Sequence, residues 1–407
     1  MFLLRKNSLP AARCAALLLG LLLSGSVFAQ RSNRAAMQKL VDDDLHFAVD
    51  QYKLMMRELP PDKLPRTYDS VKQKLETVGS RAWVSGFYPG TLWYLYEYTK
   101  DAALKTEAEK RTALLAPEQY YKGTHDLGFM LYCSYGNGYR LTGDKAYKQV
   151  LLNAAQSLST RFNPVVGCIK SWDHGSWTFP VIIDNMMNLE LLCEASVMKG
   201  DDAYRKIAET HANTTLRNHF RPDFSTFHVV DYDPKTGKVL QKKTAQGYAD
   251  GSAWARGQSW GLYGYTMMYR ETKDKRYLSQ AEHIAAFLLN HPRLPEDGIP
   301  YWDYDAPDIP HAYRDVSAGA IMASALLELS TFEKKKKTAA TYRQAAEKIL
   351  TSLSSDRYRC TPGTYGGFLL KHSVGGLPGN VEVDVPLSYA DYYFIEALMR
   401  YKKWFLK

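Results

Sequence analysis

From about residue 34 onward, apolar side chains recur with a period near 3.6 residues, the signature of amphipathic helices. Two kinds of segment alternate. Six are rich in small, aromatic and apolar residues on most sides: roughly 89–100, 126–142, 181–199, 257–272, 316–333 and 387–405. Six are more charged and carry a single apolar stripe: roughly 34–58, 104–116, 144–162, 202–219, 275–290 and 340–354. A helix apolar all round belongs inside, and one with a single stripe belongs in an outer layer. Strict alternation of the two predicts an all-α double ring, an (α/α)6 barrel.

A repeated helix-end signature supports the same architecture. Tyr139-Arg-Leu-Thr-Gly-Asp144 is followed by Tyr147, and Tyr269-Arg-Glu-Thr-Lys-Asp274 by Tyr277. Weaker copies are Met198-Lys-Gly-Asp201 with Tyr204, and Tyr98-Thr-Lys-Asp101. Each reads as one helix stopping, an aspartate capping the next, and an aromatic ring locking the pair. The aspartates from 144 onward are 57 and 73 residues apart, room for two helices and a connection. The exception is Ser225–Thr244, alternating and β-branched around Asp233-Pro-Lys-Thr-Gly237, which predicts a hairpin. The run Lys334–Lys337 reads as a solvated loop between two helices. No Pro-, Gly- or Ser-rich linker divides the chain, so residues 30–407 form one domain.

The first 29 residues are different. Arg5, Lys6 and Arg13 precede an apolar run from Ala15 to Leu23, and small residues lead to a cut after Ala29. That is a cleaved export signal, which places the protein in the periplasm or outside the cell. Cys14 precedes the apolar run without the small residues of a lipid-attachment site, and no later stretch is apolar enough to anchor in a membrane. Removing the signal lowers the net charge from +9 to +6, a mild preference for acidic ligands. No basic stripe interleaved with aromatics points to nucleic acid. Cys133, Cys168, Cys193 and Cys360 remain, none in Cys-x-x-Cys spacing, and they read as buried free thiols. No zinc spacing, phosphate loop, dinucleotide fingerprint or Gly-x-Ser-x-Gly elbow is present, so neither metal nor organic cofactor is implied.

Candidate chemistry gathers where the inner segments begin: His125-Asp126, Asp184-Asn185, Arg256, Arg314-Asp315 and Tyr389-Ala-Asp391. In a toroid these starts converge on one mouth, and helix N-termini there favour an anion. Arg256 and Trp260 share a helix face, a guanidinium beside an indole, which suits a sugar ring bearing a carboxylate. Asp184 follows the apolar run Thr178-Phe-Pro-Val-Ile-Ile183, a costly seat for a carboxylate unless it is paired or holds its proton. An N-cap would need no such run, which favours a catalytic role. Asp126 reads either as an N-cap or as a second carboxylate raising the pKa of Asp184. His125 reads as a ligand contact or as a buried structural histidine. Among the many aromatics, Trp83, Trp172 and Trp260 adjoin glycine or charged positions and are the choices for sugar stacking.

Five stretches, in order, resemble the unsaturated glucuronyl hydrolases of glycoside hydrolase family 88: Trp83–Trp93, His125–Phe129, Ile182–Asn188, Ser252–Trp260 and Asp384–Tyr393. The resemblance implies an (α/α)6 barrel that removes a 4,5-unsaturated uronic acid from the non-reducing end of fragments released by polysaccharide lyases. It implies hydration of the C4=C5 vinyl ether rather than displacement at the anomeric carbon. On this match Asp184 is the acid, then the base, and Asp126 its partner. Gln246, Arg256 and Trp260 fall at the uronate-binding spacing, and His228, on the hairpin, matches a histidine that contacts substrate. Trp83 and Trp172 match two aromatic positions. Some family members that prefer sulfated substrates carry Ser-x-x-Ser-x-Lys late in the chain. Here Lys371-His-Ser-Val-Gly-Gly-Leu-Pro378 keeps Ser373 but neither the second serine nor the lysine.

The reading is therefore an exported (α/α)6 hydrolase acting on unsaturated glycosaminoglycan fragments, monomeric or a small homo-oligomer. Its rivals are an unsaturated rhamnogalacturonyl hydrolase acting on pectin fragments and an inverting glycosidase using Asp126 and Asp184 separately. From another class, a non-catalytic oligosaccharide-capture protein would use the aromatics and Arg256 but not Asp184.

Overall fold

The computed structural model describes residues 11–407, with side chains described from Asn33 onward. Of the leader expected over residues 1–29, residues 1–10 lie outside the described residues and the side chains of the rest are not described. Twelve α-helices account for most of the remaining chain: α1 (Ala11–Glu58), α2 (Phe87–Thr99), α3 (Ala102–Ala113), α4 (Asn137–Thr142), α5 (Lys145–Ser159), α6 (Leu189–Lys199), α7 (Ala203–Asn218), α8 (Ala255–Thr272), α9 (Lys275–Asn290), α10 (Val316–Phe332), α11 (Lys336–Leu353) and α12 (Ser388–Phe405).

They form the double ring that the alternation predicts. Going round the inside, α2 touches the segment leading into α4, which touches the segment leading into α6. Then come α8, α10 and α12, and α12 returns to α2 to close the ring. Outside it, α3 covers α2, α5 covers α6, α7 backs α6, α9 backs α8, α11 backs α10, and α1 packs on α12 and α2. The inner helices are buried on nearly every side. All residues of α10 from Val316 to Ser330 and of α8 from Ala255 to Met268 lie inside. The helix-end signature has a physical basis. Gly143, Gly200, Lys100 and Lys273 end their helices in the left-handed region. One residue on, Asp144, Asp101 and Asp274 accept N–H groups from the first turn of the next helix, and Asp201 accepts from Ala203.

Close approach of the inner helices depends on glycine. A Cβ on Gly264 of α8 would sit 2.5 Å from Met186 Cβ, and one on Gly128 would sit 2.6 Å from Asn188 Cα.

Two inner segments are not the plain α-helices expected. Residues 126–142 wind as a π-helix over Gly128–Gly136 before α4, and residues 181–199 start as an extended strand. That strand, β5 below, is drawn out of the helix because it pairs with the predicted hairpin. A 3-10 turn, Ile183–Asn188, then leads into α6.

The hairpin is narrower than expected. Its strands form one of four small sheets, whose strands are β1 (Leu64–Asp69), β2 (Lys74–Val78), β3 (Phe162–Asn163), β4 (Cys168–Ile169), β5 (Pro180–Ile182), β6 (Val229–Tyr232), β7 (Val239–Lys243), β8 (Ser373–Gly376) and β9 (Val381–Val385). β5, β6 and β7 make an antiparallel sheet of three, and β1–β2, β3–β4 and β8–β9 are two-stranded. The lysine run is a further correction. The loop ends at Lys335, and Lys336 and Lys337 already belong to the first turn of α11, whose far side buries Tyr342, Ala346 and Leu350. Cys133, Cys168, Cys193 and Cys360 are buried and unpaired, as expected.

Candidate active site

Asp184 sits in the first turn of the 3-10 segment, directly after β5, with Ile183, Met186 and Met187 buried beside it. The backbone hydrogen bond from Ile183 N–H to His228 carbonyl fixes this junction against the hairpin. Its Oδ2 is buried without a hydrogen-bond partner. Burial pushes its pKa up to about 6. His125 and the positive charge of Arg256 restrain that rise, and Asp126 adds to it. The carboxyl is not an N-cap, since no side chain caps this turn.

Asp126 is held differently. Thr124 Oγ1 donates to its Oδ2 at 2.6 Å, and His125 Nε2 lies 3.1 Å from its Oδ1. Burial alone would raise its pKa, but His125, Thr124 and Arg161 outweigh that and hold it below the ordinary value. The two carboxyls are thus pushed apart, one towards keeping a proton and one towards losing it, the pattern that separates an acid from its charged partner. His125 is buried, donates its backbone N–H to Ser171 carbonyl, and leaves Nδ1 without a partner.

His228, at the entry to β6, turns Nε2 towards Asp184 Oδ2 at 3.7 Å. Its Nδ1 faces the backbone N–H groups of Ala245 and Gln246 at 3.1 and 3.3 Å. An atom that accepts N–H groups carries no proton, so the ring proton resides on Nε2. Burial, helped by the Arg256 charge, drives the pKa of His228 down to about 3, so the ring is neutral at any working pH.

Arg256 and Gln246 come together at β8. Arg256 Nη1 donates to Asp315 Oδ2 at 2.7 Å and to Val374 carbonyl at 2.5 Å, while Nη2 donates to Gly375 carbonyl at 2.5 Å. Gln246 Nε2 donates to the same Gly375 carbonyl at 2.8 Å. The expected open guanidinium fork is therefore corrected. Both terminal nitrogens are engaged, because a fully buried cation needs a counter-charge, and Asp315 supplies it. The positive field of Arg256 still reaches Asp184.

The aromatics divide. Trp83 and Trp172 are half-buried at the mouth. Trp83 packs against Tyr389 with centroids 4.9 Å apart, and Trp172 stacks on His174. Trp260 is only 1 % exposed, closed in by Phe129 and Tyr393, so the expectation that its face lies open is also corrected. Asp391, another inner-helix start, lies away from this cluster, accepting N–H groups from Leu369 and Leu370.

Sequence reasoning gave no role to Asp315 or Tyr389 beyond their positions at inner-helix starts, and missed Thr124, Arg161 and Asn188 as parts of the site. Asn188 accepts Phe129 N–H at 2.9 Å and so ties the two irregular segments together. Tyr389 lies under the Arg256 guanidinium, 5.4 Å from its ring centroid, with a buried hydroxyl that has no partner. Thr124-x-Asp126 was legible as a side-chain turn. The others depend on three-dimensional neighbours.

The ring also encloses a cavity of about 120 Å³ further along its axis, lined by Tyr94, Glu190, Tyr263, Glu396 and Arg400. It is not the reaction chamber. Its charges satisfy one another: Arg270 is bonded to Glu190, Glu271 and Glu328, and Arg400 to Glu328 and Tyr263.

An (α/α)6 ring that brings a buried carboxyl of raised pKa and a second carboxyl of lowered pKa together carries the paired acids that a hydrolase of sugar chains uses. The model of Glycosyl Hydrolase Family 88 matches residues 61–393, and the chain belongs to that family. It is 46% identical over 358 residues to an unsaturated glucuronyl hydrolase of Formosa agariphila, covering 87% of this chain and 88% of that one. It is 35% identical over 347 residues to an unsaturated chondroitin disaccharide hydrolase of Streptococcus pneumoniae, covering 84% and 86%. A solved unsaturated glucuronyl hydrolase specific for heparin superposes with a TM-score of 0.87 at 51% identity, covering 90% of this chain and 97% of that one. The protein is a glycoside hydrolase, which removes the non-catalytic capture reading.

Proposed function

We propose that the protein removes the 4,5-unsaturated uronic acid from the non-reducing end of lyase-generated glycosaminoglycan fragments, with Asp184 as the proton donor. The observation that carries the residue assignment is the carboxyl of Asp184, seated among apolar side chains with an unpartnered Oδ2 and its pKa raised to about 6. Relatives named for glucuronyl and chondroitin disaccharide substrates support glycosaminoglycan over pectin fragments.

In this reading the protonated Asp184 delivers H⁺ to C4 of the vinyl ether. Positive charge develops at C5 and spreads onto the ring oxygen. Water adds at C5, giving its proton back to the now ionised Asp184, and the hemiketal opens to expel the aglycone. The sum is addition of one water, with the carboxyl restored. One group serves as acid and then as base. Asp126, ionised, keeps Asp184 protonated before the first step. His228 presents a fixed Nε2–H to orient substrate or water, and His125 bridges to Asp126. Trp83 and Trp172 wall the sugar, and Gln246, Arg256 and Trp260 set the frame and positive field for the uronate. The leader at residues 1–29 supports action in the periplasm or outside the cell.

The conjugated double bond absorbs in the ultraviolet, so its disappearance reports the reaction directly. Unsaturated heparin, chondroitin, hyaluronan and rhamnogalacturonan disaccharides should be incubated with the wild type and with Asp184→Asn. Loss of absorbance on a glycosaminoglycan disaccharide with wild type alone is the expected result. Heparin products come first, given the heparin-specific relative. Loss only on rhamnogalacturonan products, or cleavage of saturated chains alone, would overturn the reading.

A further inference from the structure

Arg161 follows α5 and helps to hold the pKa of Asp126 down, and its side chain is only 6 % exposed. Its Nε donates to Lys170 carbonyl at 2.8 Å, and its Nη1 donates to Lys122 carbonyl at 2.5 Å and to Asp173 Oδ2 at 2.7 Å. Its own carbonyl accepts Lys170 N–H at 3.0 Å. One guanidinium thus joins two separate loops, 121–126 and 170–173. The first carries Thr124, His125 and Asp126, and the second carries Trp172.

The seam continues to the acid. His125 N–H meets Ser171 carbonyl at 3.2 Å, Ser171 N–H meets Pro180 carbonyl at 2.8 Å, and Ser171 Oγ accepts Ile182 N–H at 3.0 Å. Ile182 is two residues before Asp184. Three stretches of chain are laced together behind the carboxyl pair, and Arg161 anchors the outer edge. Its remaining nitrogen, Nη2, is buried without a protein partner. An unspent buried donor costs roughly 1–3 kcal/mol, more for a charged group, so burying this one needs a return.

We propose that Arg161 is a positioning residue for the reaction. It fixes the gap between Asp126 and the Trp172 wall by stapling their loops, and it lends its positive charge to Asp126. The proposal rests on the roles proposed for Asp184 and Asp126. The groups that face Asp126 are His125 beside it, Thr124 on the same loop, Arg161 from the end of α5, and Asp184 across the site. Of these only Arg161 is a permanent cation. A lysine supplies the charge but, as a single ammonium, not the planar fork that spans three acceptors.

The two contributions separate in a pair of variants, Arg161→Met and Arg161→Lys, assayed beside Asp126→Asn. Turnover of an unsaturated disaccharide is followed across pH, with thermal melting to confirm folding. Arg161→Met removes staple and charge. Its kcat should fall roughly 10- to 100-fold, the scale of a small displacement of catalytic groups. The acid limb of its kcat/KM profile should move up in pH, because Asp126 then holds its proton longer. Arg161→Lys should keep the limb in place and still lose most of the kcat. A wild-type pH profile in Arg161→Met, or a wild-type kcat in Arg161→Lys, would overturn the proposal. Should the methionine variant fail to fold, the kcat of the lysine variant decides alone. Full turnover by Asp126→Asn would sink the underlying assignment of Asp126, and the proposal with it. Loss of turnover by Asp126→Asn with unaltered Arg161 variants would sink this proposal only.

Discussion

His228 Nε2 stands 3.7 Å from Asp184 Oδ2, with its other ring nitrogen committed to the backbone N–H groups of Ala245 and Gln246. The distance is too long for a hydrogen bond. The geometry makes His228 a donor of fixed tautomer, and its depressed pKa of about 3 keeps it uncharged wherever the enzyme works.

His228→Ala should therefore lower kcat, by roughly 100-fold on the scale of losing one preorganised donor, without removing either limb of the pH profile. A histidine acting as general acid or base would take a limb with it. Measuring kcat/KM across pH for the variant separates the two.

Asp184 carries opposite consequences for activity and stability. As the proton donor it must be protonated in the free enzyme, so kcat/KM should fall as pH rises through about 6. Its folded pKa lies above the unfolded value of 3.8, so the folded state binds the proton more tightly. The penalty for burying the ionised form is absent below 3.8, grows as pH rises towards about 6, and is complete above it. Asp184→Asn should abolish turnover and yet stabilise the fold at neutral pH, on the order of 1–3 kcal/mol. The gain should vanish near pH 4. Melting temperatures of both proteins at pH 4 and pH 7.5 check it, and equal shifts at the two pH values would contradict the desolvation argument.

The order of inner and outer helices was legible because it depends on which faces are apolar, a property of the chain itself. The aspartate caps were legible for the same reason: Asp144 and Asp274 act on N–H groups two residues away. The failures lie where distant pairing decides. Residues 181 and 182 carry an apolar pattern that fits a buried helix or a buried strand equally, and pairing with β6 selects the strand. The π-helix at Gly128–Gly136 depends on its fit against Asn188, 60 residues from Gly128 along the chain. Both irregularities fall beside Asp126 and Asp184, where local preference gives way to the site. Arg256 and Trp260 were legible as a pair on one face. The counter-charge Asp315 and the rings covering Trp260 come from other helices, and nothing local announces them.

Arg256 and Asp315 test that point directly. Both are buried, at 1% and 0% side-chain exposure, and their 2.7 Å contact is the only ion pair Arg256 makes among the described residues. Asp315 also accepts from Ser317 at the start of α10. Asp315→Asn strands a buried guanidinium and should cost about 3–5 kcal/mol. Chemical denaturation of the variant measures this. A cost below 1 kcal/mol would show that the β8 carbonyls of Val374 and Gly375 suffice to hold the cation.

Gly264 offers a test of the ring remote from any charge. It lies in α8, where a Cβ would meet Met186 Cβ at 2.5 Å, with the Met186 backbone at 3.4 Å behind it. In an open helix Gly→Ala stabilises, by about 1 kcal/mol. Here the methyl must push Met186, two residues from Asp184, and the 3-10 turn has no free side on which to yield, since Ile183–Asn188 are all buried. Overpacking of this kind costs about 1–3 kcal/mol, so the net sign reverses. Gly264→Ala should melt earlier than wild type and lose activity in excess of its lost stability, because the displaced segment carries the acid. Met186→Gly removes that Cβ, so it should cost less stability in the Gly264→Ala protein than in the wild type. A Gly264→Ala protein as stable and active as wild type would mean that the inner helices have slack here, and the close approach would not be what seats Asp184.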